Sequence, residues 1–102
     1  MELLWLLLNM PPCIEINVAI VNQRGLHARA AAKLVAAATS FSAEITIAHN
    51  QQVANAKSIL GLMMLAASQG GELRVSATGA DAEAAAAALK ALVESGFNEL
   101  PE

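Results

Sequence analysis

Gly25-Leu26-His27-Ala28-Arg29 places a histidine and an arginine two residues apart, where a turn-rich break gives way to an alanine-rich run. At a helix start the first backbone N–H groups lack intrahelical acceptors and the dipole presents its positive end, so anions are favoured there. An imidazole in that place is disfavoured as a cation and is therefore available as a neutral nucleophile. A phosphoryl group carried on one ring nitrogen would sit among amide donors, and Arg29 would add a charge-assisted donor to the same oxygens. The same residues also read as an ordinary loop histidine followed by a solvated arginine, and the pentapeptide alone does not choose between the two.

Ser58 opens a second apolar run, where its hydroxyl can accept an amide of the first turn as an N-cap. A hydroxyl at a helix start is also a place where phosphorylation puts charge favourably on the dipole. Ile59, Leu60 and Met63 offer more apolar surface than a two-turn helix needs to bury, which fits either core packing or a docking patch. His49 lies in a polar stretch and reads as a turn residue. Cys13 has no neighbouring base or cation to activate it. Neither histidine has an acid at a helical offset, so no metal-ligand spacing is present.

The elements that must hold these residues follow from periodicity. Ile14, Ile16, Val18 and Ile20 alternate with polar or small residues, a strand with one buried face. Residues 22–25 break the pattern, and a helix is expected from His27 to Thr39. Residues 43–48 alternate again, and 52–55 can pair back as a hairpin. A second helix is expected over 58–68, stopped near Gly70 and Gly71. Residues 72–78 form another half-exposed strand. A third helix runs from Asp81, a candidate cap, to Ser95, with Gly96 accepting the left-handed conformation beyond it. The order βαββαβα with one-faced strands predicts an α+β fold: a four-stranded antiparallel sheet with three helices on its apolar face and the other face wet.

The chain has 102 residues, which fits one domain. Its net charge of −3 comes from dispersed residues, arguing against a nucleic-acid or anionic-membrane surface. One cysteine excludes an internal disulfide and suits a reducing compartment. The apolar run Leu3–Leu8 is too short for a membrane span and follows Glu2 instead of a basic start. Residues 1–13 therefore read as an over-called start with Met10 as initiator, as a disordered lead, or as a short extension on a neighbouring apolar surface. The domain is expected over 14–96, with 97–102 a tail.

"GLHARAAAKLV" and "NAKSILGLMMLAASQGGEL" (residues 55–73), with their spacing and the element order, resemble the histidine-containing phosphocarrier proteins (HPr) of the bacterial phosphotransferase system and their nitrogen-related branch, NPr. The resemblance covers about residues 14–96. It implies an open-faced β-sandwich acting as a cytoplasmic carrier, not an enzyme, without cofactor or metal. In such proteins enzyme I, charged by phosphoenolpyruvate, passes a phosphoryl group to Nδ1 of the histidine matching His27, and an EIIA-type domain then takes it. Arg29 would match the residue steadying the phosphoryl group, and Ser58 the serine modified by an HPr kinase in some bacteria. Ala28, Ile59, Leu60 and Met63 would belong to the surface that docks partner proteins, and a monomer is expected. A regulatory module of the same fold that binds partners without carrying phosphate is the alternative. The chain departs from the family where Ala30 replaces a usual proline, and where Ala36 and Thr39 stand at positions that are lysine in many sugar-transporting members. The missing charge points to a regulatory or nitrogen-related role over bulk sugar uptake.

Overall fold

The computed structural model describes residues 2–99. Its elements are α1 (Glu2–Leu8), β1 (Cys13–Ala19), α2 (Ala28–Thr39), β2 (Glu44–His49), β3 (Gln52–Asn55), α3 (Ile59–Met64), β4 (Glu72–Thr78) and α4 (Ala82–Glu94). The strands form one antiparallel sheet in the order β1-β4-β2-β3. The alternation read from the sequence sets its two faces. Ile16 and Ile47 flank Val75 of the central strand, while Glu15, Asn17, Thr46 and Arg74 point to solvent.

On the inner face Ile45, Ile47, Leu73, Val75 and Ala77 pack beneath α2 and α4, whose buried residues include Ala30, Ala31, Leu34 and Ala38, and Ala85, Leu89 and Val93. The alanines bring the helix backbones close to their neighbours, and the leucines and valines fill the remaining space; each such large side chain contributes about 1.5–3 kcal/mol on burial. α3 packs against α2 and β3, anchored by Leu62. The three helices following β1, β3 and β4 are those expected.

Three expectations change. α3 ends at Met64 instead of near 68, because Ala66 turns left-handed (φ 52°) and carries the chain down to bury Leu65 and Ala67. Asp81 occupies the N-cap position of α4 but makes no side-chain cap; its carboxylate accepts the Ser42 and Ala43 amides, each at 2.8 Å, and clips the entry to β2. In place of a disordered lead, residues 2–8 form α1, which buries none of its side chains. Among the described residues no helix is long and apolar enough to cross a membrane.

Candidate functional site

The loop before α2 is fixed at Gly25. Its φ is +62°, and a Cβ there would stand 2.5 Å from the Ala67 carbonyl oxygen and 2.9 Å from Ser68 Cα, so only glycine fits. The next residue completes the join: Leu26 is buried and its amide donates to the Ala67 carbonyl at 2.9 Å. The chain thus reaches His27 from a pinned loop. His27 is the N-cap of α2, with extended backbone (φ −79°, ψ 179°), and its carbonyl accepts the first helical bond from Ala31 at 2.8 Å.

The two ring nitrogens of His27 have different partners. Nδ1 accepts from the Arg29 backbone amide at 3.3 Å, the capping bond of the helix. Nε2 lies 2.6 Å from Oε2 of Glu99. An ionised carboxylate can only accept and an amide N–H can only donate. Both contacts are therefore met by one neutral tautomer, protonated on Nε2 with the Nδ1 lone pair turned toward the helix start. The ring keeps 15% of its side-chain surface exposed and the Glu99 side chain 13%, so the site is half-closed yet reachable.

Glu99 is itself held. Asn22, fully buried, donates from Nδ2 to Glu99 Oε1 at 3.0 Å and to the Gly25 carbonyl at 2.9 Å. Its Oδ1 is buried without a partner among the described residues. Burial acts to raise the Glu99 pKa, but hydrogen bonds from His27 and Asn22 and the charge of Lys33 outweigh it and hold the carboxyl below its ordinary value. It is therefore a carboxylate at neutral pH.

The segment that delivers Glu99 ends α4 in a Schellman motif. The Phe97 amide bonds the Leu92 carbonyl and the Gly96 amide the Val93 carbonyl, each at 3.0 Å. Gly96, Phe97 and Asn98 are all left-handed, with φ of 68°, 56° and 60°. For a phenylalanine this conformation is unfavourable by about 1–2 kcal/mol. It is held because the ring is completely buried in the core and Lys33 Nζ donates to the Phe97 carbonyl at 2.6 Å. The tail expected from residue 97 is thus part of the folded unit as far as Glu99; residues 100–102 lie outside the described residues.

Arg29 is exposed, and with Gln23, Arg24, Lys33, Asn98 and Glu99 it lines a cleft of about 300 Å³. Three of the chain's six basic residues meet there, so the charges that look dispersed in sequence are gathered beside His27. Ser58 caps α3, its Oγ accepting the Gly61 amide at 3.1 Å. Ala28, Ile59, Leu60 and Met63 are exposed, and Met64, which sequence reasoning passed over, joins them. His49 closes β2 at the hairpin, its Nδ1 3.1 Å from the Glu72 carbonyl oxygen, and Cys13 begins β1 on the surface.

Sequence reasoning also passed over Asn22, Arg24, Lys33 and Glu99. Lys33 has a local signal, since it stands four residues after Arg29 and so on the same face of α2. Glu99 has none, because a left-handed turn brings it to the site from 72 positions away.

This chain matches the family described as "PTS HPr component phosphorylation site" over residues 14–95. It is 46% identical over 86 residues to the phosphocarrier protein NPr of Shewanella violacea, covering 84% of this chain and 94% of that one. It is 45% identical over 86 residues to the phosphocarrier protein HPr of Xylella fastidiosa, covering 84% and 97%. The solved HPr of Thermoanaerobacter tengcongensis superposes with a TM-score of 0.81 at 45% identity, over 84% of this chain and 97% of that one. The capped histidine, the sheet order and these likenesses agree: the chain belongs to the HPr/NPr family of phosphocarrier proteins of the phosphotransferase system.

Proposed function

We propose that His27 carries the phosphoryl group on Nδ1, accepting it from enzyme I charged by phosphoenolpyruvate and passing it to an EIIA-type domain. The observation that carries this reading is the pair of ring contacts: Nε2 faces a carboxylate, and Nδ1 is turned to the positive end of a helix. Phosphoryl transfer asks mainly for positioning and for donors on the equatorial oxygens. On arrival at Nδ1 the group displaces the Arg29 amide from nitrogen to phosphoryl oxygen, and the Arg29 guanidinium turns onto the same oxygens. Arg24 and Lys33, lining the same cleft, add positive potential. Ala28 and the exposed apolar residues Ile59, Leu60 and Met63 then form the docking surface.

Incubation with enzyme I and phosphoenolpyruvate is expected to add one acid-labile phosphoryl group, and His27→Ala to abolish it. Equal labelling of that variant overturns the assignment, whereas a wild-type protein that binds enzyme I but stays unlabelled is the non-phosphorylated regulatory module. The branch is read as regulatory or nitrogen-related from exposed Ala36 and Thr39 on α2, which leave the second half of that helix without cations. Identity does not separate the branches, since NPr and HPr relatives stand at 46% and 45%. Competition among EIIA domains for the labelled protein decides it. The carrier is proposed to work in the cytoplasm as a monomer, with Ser58 open to an HPr kinase.

A further inference from the structure

We propose, building on the carrier reading, that Glu99 is the positioning residue of the transfer, holding the ring proton on Nε2 so that His27 takes and gives a phosphoryl group without exchanging a proton with solvent. In the first step the Nδ1 lone pair forms the N–P bond while the donor–phosphorus bond breaks and its electron pair returns to the donor. The ring, still carrying hydrogen on Nε2, becomes an imidazolium paired with the Glu99 carboxylate. In the second step the acceptor's lone pair forms the new bond to phosphorus, and the N–P electrons return to Nδ1. Neutral imidazole leaves instead of an imidazolide anion, and the same tautomer is restored. No proton enters or departs in either direction.

The surroundings of Glu99 suit this task. The 2.6 Å bond to Nε2 is charge-assisted, and Asn22 fixes the second carboxylate oxygen from a fully buried position. The charged group facing it is Lys33, with Arg24 and Arg29 lining the same cleft. Lys33 and the hydrogen bonds from His27 and Asn22 favour the ionised carboxylate, the form that can only accept. A left-handed Phe97 with its ring in the core is more constraint than a surface tail requires, and its effect is to aim the next residues at His27.

The test uses protein labelled with ¹⁵N in the histidine rings, as wild type, Glu99→Ala and Glu99→Gln. The wild-type His27 ring is expected as one tautomer with a slowly exchanging Nε2 proton. In Glu99→Ala that proton signal is expected to disappear into solvent exchange. Glu99→Gln, whose amide oxygen still accepts, should retain it. Phosphoryl transfer from phosphorylated enzyme I is expected to fall about tenfold in Glu99→Ala, the equivalent of losing one charged hydrogen bond. Ring signals in Glu99→Ala that match the wild type, a Glu99→Gln ring that matches Glu99→Ala, or an unchanged transfer rate overturns the proposal. The ring measurement needs no partner, so failure of wild-type labelling by enzyme I would remove the carrier reading while the Glu99 contact is judged separately.

Discussion

Nδ1 of His27 is both the cap of a helix and the proposed nucleophile, and the geometry reconciles the two. At 3.3 Å the Arg29 amide is a long partner, easily exchanged for a phosphoryl oxygen, which is a stronger acceptor. Ala30 contributes as well: it keeps an N–H in the first turn that the family's usual proline lacks. The carboxylate on the other side of the ring makes a pH prediction. Because the folded pKa of Glu99 lies below its ordinary value of 4.5, the stabilisation it gives is fully present above that value and is lost as pH falls through the lower folded one. The melting temperatures of the wild type and Glu99→Gln are therefore expected to converge as pH falls from the ordinary value of 4.5 downward. A difference that widens over that range contradicts the sign.

At the scale of the element, α3 is the least self-sufficient helix of the folded body, with six residues and a glycine at its third position. Its start depends on Ser58, so Ser58→Ala is expected to lower stability by about 1 kcal/mol in urea denaturation while leaving histidine phosphorylation intact. A loss of labelling in that variant would place Ser58 in the transfer site. Strands β1 and β4, and helices α2 and α4, were legible in the sequence because each repeats a single period over seven or more residues; the shorter β2 and β3 were legible as a hairpin, from the polar turn between them. The end of α3 was not, because an alanine in left-handed conformation carries no compositional mark. His27 and Arg29 were legible as local chemistry. Their neighbours Asn22 and Glu99 were not, since one contact spans 77 positions and depends on a turn whose only sequence sign is Gly96.

For the whole molecule the decisive residue is Phe97, which joins the core to the site. Phe97→Ala is expected to lower stability by about 3–5 kcal/mol, measured by urea denaturation, and also to release Glu99 from His27. Glu99→Ala leaves the buried ring in place and should cost far less. A Phe97→Ala protein as stable as Glu99→Ala would show that the ring does not anchor the segment. The contact between His27 and Glu99 closes over 72 residues, so the ring reports on a turn far from it in the chain. Opening the turn after α4 withdraws the carboxylate while the loop pinned at Gly25 and Leu26 keeps the histidine at the helix start. The ring's nitrogen signals are thus a gauge of whether that distant turn is closed.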